Sequence, residues 1–92
     1  MSKNIIKIFN KHPLTREYWI KTSDIKISPE FAAHRVKEGK LRKKKYYYYH
    51  TGNFESPIIL NEDCVLIDGY SSYIIGAKIM GMDKLPIYFQ KR

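Results

Sequence analysis

One short stretch constrains the fold of this chain more than any other. A β-branched run, Val65-Leu66-Ile67, meets Asp68-Gly69, and an apolar segment then continues to Gly81. This order predicts a buried strand that turns sharply into a helix, because Asp-Gly interrupts regular structure and glycine is common just after a helix. The first N–H groups of a helix lack intrahelical partners and lie at the positive end of its dipole. The turn is therefore a candidate phosphate-binding site.

The alternative at this stretch is a hairpin, with Asp68-Gly69 as its turn and residues 70–75 as its second strand. Tyr73, Ala77 and Met80 instead fall on one helical face, and the segment ends on glycine where a helix C-cap is expected. We therefore predict the helix.

The remaining segments predict strands and helices on either side of this turn. We expect Ile25 and Ile27 to contact the core, and Leu41 and Tyr48 to share the buried face of the longer helix. The predicted strands are Glu17–Thr22, Ser56–Leu60, Cys64–Ile67 and Leu85–Phe89, with a hairpin between the second and third. The predicted helical segments are Phe31–Ala33 and Lys40–His50, the latter ending at Thr51-Gly52.

Length and composition predict a single domain over residues 1–92, with residues 1–16 as an arm or edge segment. A chain of 92 residues buries roughly 60–65% of its unfolded surface, and its 43% hydrophobic residues argue against disorder. The apolar stretch near the N-terminus is too short for a signal peptide, and no run is long enough to span a bilayer. We expect a cytoplasmic protein without a membrane partner.

Charge is distributed unevenly along the chain. Residues 1–52 contain thirteen Lys and Arg against four Asp and Glu, whereas residues 53–92 contain four against five. This asymmetry predicts DNA or another polyanion as the partner of the N-terminal half. The alternative is a solubilising surface without a specific ligand.

A cationic run followed by four tyrosines is the candidate nucleic-acid surface. The cations would contact phosphates and exposed rings would stack on bases, which gives Arg42, Lys43, Lys44, Lys45 and Tyr47 as candidate binding residues. The alternative places two of the tyrosines in the core and leaves the lysines solvated.

Few residues suit metal or thiol chemistry. The single cysteine, Cys64, excludes an intrachain disulfide and a cysteine-based zinc site, and we expect it to be a packed residue. His12, His34 and His50 lack metal-ligand spacing, so no metal site is predicted. Asp68 is the one candidate metal ligand or general base, although a residue before a helix more often accepts N–H groups as a cap.

The order of these signals resembles the ParB N-terminal (ParB/sulfiredoxin-like) domain family over about residues 20–89. The resemblance lies in Pro57-Ile58, a hairpin, residues 66–70, a helix containing Ala77-Lys78, Gly81, and Leu85-Pro86-Ile87. The segment from Gly52 to Ile58 is similar to the small single-domain members.

The resemblance implies a compact α/β (α+β) domain, with a small mixed sheet, a hairpin and two main helices. It also implies phosphate or nucleotide binding at Gly69, Tyr70, Ser71 and Ser72, with a nucleotide and a divalent metal ion as the candidate cofactors.

Two departures from the family pattern alter what is expected of the turn. Active relatives usually carry an arginine three positions after the glycine, where this chain has Ser72. Sulfiredoxins place a cysteine directly after the glycine, where this chain has Tyr70. Sulfiredoxin chemistry is therefore not expected, and phosphate would lose the bidentate contact that arginine provides.

Three functions remain as hypotheses. The first is a small basic ParB-like module, non-catalytic or degenerate, that binds DNA or a nucleotide. The second is a metal-dependent nuclease or nucleotide-hydrolysing enzyme that uses Asp68. The third is an accessory factor that binds another protein. Pro57 at a strand edge leaves homo-oligomerisation open.

Overall fold

A computed structural model describes residues 16–90 and contains one mixed four-stranded sheet in the order β1-β4-β2-β3. Strand β1 (Tyr18–Lys21) is antiparallel to β4 (Lys84–Phe89), and β4 is parallel to β2 (Ile59–Leu60). Strand β3 (Leu66–Asp68) pairs antiparallel with β2. The predicted mixed sheet and its hairpin are confirmed.

The helical segments occupy the predicted regions. Helix α1 spans Pro29–Ala33, α2 spans Glu38–Thr51, and α3 spans Tyr70–Tyr73 and continues as a π-helix over Ile74–Ile79. A single 3₁₀ turn at Thr22–Asp24 follows β1.

Local signals explain where the first two helices begin and end. Ser28 precedes α1, and its Oγ accepts the N–H of Phe31 at 3.3 Å while Pro29 occupies the first helical position. Helix α2 ends at Gly52, whose φ of +77° is the left-handed conformation that glycine adopts without a steric penalty.

The core lies between the sheet and the helices. Strand β4 buries alternate residues, Leu85, Ile87 and Phe89, as the two-residue period of a strand requires. Ile25 is buried in this core and Ile27 packs against it, which confirms both predictions. Helix α2 contains no fully buried residue, and the predicted core-facing Leu41 and Tyr48 are half-buried.

The helix after the turn changes form partway along its length. The Met80 N–H donates to the Ile75 carbonyl at 2.8 Å, an i to i+5 bond that widens the turn. This wider turn places two consecutive residues, Ile75 and Gly76, in the interior. A Cβ at Gly76 would overlap the side chain of Leu85, so the close approach of helix and sheet requires glycine here.

Some expectations concern residues that lie beyond the described part of the chain. The predicted arm at residues 1–16 falls outside it except for Arg16, so this prediction and the single domain over residues 1–92 are untested. Among residues 16–90, no helix combines the length and apolar character needed to cross a membrane.

Gly69 forms the turn between β3 and α3. Its φ is +81°, and a Cβ on this residue would overlap the carbonyl oxygen of Pro57. The turn therefore depends on glycine for two reasons, its backbone conformation and its close approach to the segment that leads into β2.

We expect Gly69→Ala to lower the free energy of unfolding by about 3 kcal/mol or more, because left-handed strain adds to a backbone overlap. Urea denaturation monitored by circular dichroism measures this change. Gly81→Ala, with φ of +65° and open space, should cost only about 1–2 kcal/mol. Gly39→Ala, with no atom near its Cβ, should be neutral or stabilising by up to about 1 kcal/mol. Equal effects at Gly69 and Gly81 would contradict the proposed contact with Pro57.

Candidate functional site

The turn between β3 and α3 opens onto a depression of about 210 Å³, here called the turn pocket. Three of the four predicted phosphate-binding residues line it, Gly69, Tyr70 and Ser71. The other lining residues come from α1, α2, the segments that follow α1 and precede β2, and the end of β3: Phe31, His34, Val36, Lys40, Lys44, Ser56 and Asp68.

Two lysines of α2 line the turn pocket. Lys40 and Lys44 are four residues apart, so they follow one another on the same helix face about 6 Å apart along the axis. Lys44 is largely buried, and its Nζ donates to Ser56 Oγ at 2.5 Å and lies 3.5 Å from Glu55 Oε1. Its ammonium group is therefore held at the pocket, with its charge partly offset by an exposed carboxylate.

Sequence reasoning missed Lys40 and did not connect Lys44 with the turn. The lysines lie far from the turn in sequence, and even Ser56, which binds Lys44, is twelve positions away from it. The available signal was the four-residue spacing of the two lysines, which places both on one face of α2.

Two residues at the start of α3, Tyr70 and Ser71, line the same pocket. The Tyr73 N–H donates to the Gly69 carbonyl at 3.0 Å, so the N–H groups of Tyr70, Ser71 and Ser72 precede the first intrahelical bond. These N–H groups are hydrogen-bond donors that the start of α3 has available for an anion.

The two serines of the turn have different environments. Ser72 is buried, and its Oγ donates to the Ser56 carbonyl at 2.6 Å, so this hydroxyl links α3 to the segment before β2. Ser71 lines the turn pocket. Ser72, which stands where the resembled family usually has arginine, therefore donates its hydroxyl to the protein backbone.

Asp68 lies at the edge of the turn pocket, and its Oδ1 accepts the Gly69 N–H at 2.8 Å. The predicted helix cap is wrong, because Gly69 is the residue that precedes α3 and no side chain of the described residues accepts an N–H group of its first turn. Among residues 16–90, no three His, Cys, Asp or Glu side chains come together in a way that would hold a metal ion. A divalent ion that arrived with a nucleotide would find one carboxylate in this pocket, that of Asp68.

Tyr70 joins α1 to the turn through its ring. Its centroid lies 5.2 Å from that of Phe31 in a stacked arrangement, and the ring of His34 approaches its edge at 6.4 Å. The ring of Tyr73 also stacks on that of Tyr70, with a distance of 6.1 Å between the ring centroids. The residue that replaces the sulfiredoxin cysteine therefore packs within an aromatic cluster beside the pocket.

Cys64 lies outside the turn pocket and packs partly against the core. Burial raises the pKa of its thiol above the ordinary value, and the Asp24 carboxylate acts in the same direction. The group is therefore a neutral thiol near pH 7, which suits the predicted packed residue and not a thiolate nucleophile.

Helix α2 distributes the cationic run over different directions rather than presenting it as one surface. Lys44 lines the turn pocket, Arg42 is exposed, and Lys45 is half-buried one turn after Leu41. Lys43 and Tyr47 line a second depression of about 440 Å³, together with Gly39, Lys40, Lys44 and Glu55. The predicted nucleic-acid residues thus share one helix, but only Lys43, Lys44 and Tyr47 share one depression.

A further depression of about 170 Å³ contains the exposed Trp19. Of the side chains between residues 16 and 90 that line it, only Glu17 is charged, and none is cationic. It is lined by Glu17, Trp19, Gly52, Asn53, Phe54, Pro57, Ile58, Pro86 and Tyr88.

Known structures share this fold. A structure of the pNOB8-like ParB N-domain superposes with a TM-score of 0.64 at 23% identity, over 84% of this chain and 28% of the other. The C2221 form of the Pnob8-like ParB-N domain gives a TM-score of 0.63 at 22% identity, over 80% of this chain and 29% of the other. The chain thus spans less than a third of the length of these relatives. No protein-family model and no curated protein matches it. The chain has the fold of a ParB N-terminal domain.

Proposed function

We propose that this chain is a small ParB-like binding module that holds a phosphate group, of a nucleotide or of a DNA backbone, in the turn pocket. The observation that carries the proposal is the position of Lys40 and Lys44, which line the same pocket as Gly69, Tyr70 and Ser71. The two lysines provide the positive charge that the turn itself lacks, since Ser72 stands where the related domains usually have arginine.

Lysine in place of arginine changes how a phosphate is held. An ammonium group acts as a compact point charge, whereas a guanidinium group forms two parallel hydrogen bonds in a fixed plane. Binding through Lys40 and Lys44 is therefore mainly electrostatic, with backbone N–H groups at the start of α3 as directional donors. The excess of cations in residues 1–52 supports a polyanionic partner such as DNA.

A binding role is better supported than a catalytic one. Asp68 is the one carboxylate that lines the turn pocket within the described residues, and it already accepts the Gly69 N–H. Metal-assisted attack on a phosphodiester generally needs several ligands for the ion. We therefore propose a module that is non-catalytic.

The proposal predicts opposite effects of two single charge changes at the pocket. Lys40→Gln should weaken binding to a labelled oligonucleotide about fivefold at low salt, since one cation near a phosphate contributes about 1 kcal/mol. Glu55→Gln should strengthen binding, because it removes the carboxylate that partly offsets Lys44. Fluorescence polarisation across a salt series measures both effects, and the logarithmic salt slope should fall by about one for Lys40→Gln.

Lys78→Gln is the matched control, since Lys78 is exposed and lines neither depression described on α2. If it weakens binding as much as Lys40→Gln does, the interaction follows net charge and not this pocket. Absence of binding to oligonucleotides, nucleotides and inorganic polyphosphate at low salt would reject the proposed function itself.

A further inference from the structure

The turn pocket does not end at α2 but continues along it. Lys40 and Lys44 line both the turn pocket and the second depression, which also contains Lys43 and Tyr47. The two depressions, about 210 and 440 Å³, therefore adjoin one another across these lysines. Gly39 lines the second depression, and a Cβ there would meet no atom within 4 Å beyond its chain neighbours and the backbone of its own helix. A ligand can thus approach the backbone of α2 closely.

The size of the turn pocket indicates that a bound phosphate compound extends beyond it. Pockets that enclose small organic ligands are typically about 300–1,000 Å³, which is more than the turn pocket offers. The remainder of the ligand would follow the second depression, which adjoins the turn pocket and adds Lys43 to the two shared lysines.

One exposed ring, that of Tyr47, lies with the cations in the second depression, and two more exposed tyrosines lie elsewhere on α2. Tyr46 and Tyr49 are 64% and 62% exposed, and Tyr47, within the second depression, is 43% exposed. Rings that serve packing are buried in their own fold, as Tyr73 is, whereas these three rings are exposed. The ring of Tyr46 packs against that of His50, with 4.3 Å between the ring centroids.

Cations combined with exposed rings suit unpaired bases better than a duplex. In duplex DNA the bases are stacked on one another, and side chains read their edges chiefly through Arg, Lys, Asn and Gln. Unpaired bases offer their faces, on which tyrosine stacks irrespective of base identity. Lys43 and Tyr47 are four residues apart, so a cation and a ring follow one another about 6 Å apart along the helix axis.

From this arrangement we propose that α2 binds single-stranded nucleic acid. One phosphate lies in the turn pocket, the next ones meet Lys40, Lys43 and Lys44, and a base stacks on Tyr47. This inference rests on the proposed function, because it takes the phosphate in the turn pocket as its starting point.

Polarisation titrations of the protein with matched oligonucleotides test the inference. The ligands are a labelled single strand, the same strand annealed to its complement, and the RNA version of the single strand. We expect the single strand to bind at least about fivefold more tightly than the duplex, the lower end of what one stacked base contributes. The RNA arm identifies which kind of strand is preferred.

Tyrosine variants separate stacking from charge. Tyr47→Leu should remove most of the preference for the single strand, whereas Tyr47→Phe should retain it because the ring remains. Neither change should unfold the protein, since α2 contains no fully buried residue and leucine favours helix at least as well as tyrosine.

Equal affinity for single strand and duplex, or a preference that survives Tyr47→Leu, would overturn this inference while leaving the proposed phosphate site in place. The same holds if only free nucleotides or polyphosphate bind. If no phosphate compound binds at low salt, the proposed function fails and this inference fails with it.

Discussion

Ser56 and Pro57 hold the parts of the site together. The Pro57 carbonyl lies against Gly69, so the turn approaches this segment as closely as a residue without a side chain permits. The Ser56 carbonyl accepts the Ser72 hydroxyl, and Ser56 Oγ accepts the ammonium group of Lys44. Two residues therefore position the turn, the start of α3 and one lysine of α2. The geometry of the turn pocket depends on these contacts.

Local chemistry was sufficient to predict most of the fold. Asp68-Gly69 after a β-branched run predicted the strand, the turn and the helix, and the positive φ of Gly69 explains why that pair interrupts the chain. Gly52 and Gly81 also adopt positive φ beyond the helices that they were expected to end. The strand predicted over Leu85–Phe89 lies within β4, where buried residues alternate with more exposed ones. In each case neighbouring residues contain the relevant information.

The site was harder to predict because it depends on contacts between distant residues. Lys40 and Lys44 reach the turn pocket only through the way α2 lies against α3, which no local pattern specifies. Gly76, within the π-helical residues 74–79, likewise lies against Leu85 of β4, which is distant from it in sequence. Interpreting the cationic run as one surface was too coarse, since a helix turns each successive residue by about 100°. The turn, which has Ser72 where the resembled family usually has arginine, thus lies beside cations that come from another helix.

The central claim is that a phosphate group binds at the turn with its positive charge supplied by α2. Amide chemical shifts during a titration of the isotopically labelled protein with a short oligonucleotide test this claim most directly. The account predicts saturable shifts of the backbone N–H signals of Tyr70, Ser71 and Ser72, together with signals of α2 around Lys40 and Lys44. Shifts confined to other surfaces, such as the depression at Trp19, with the turn signals unchanged, would contradict it.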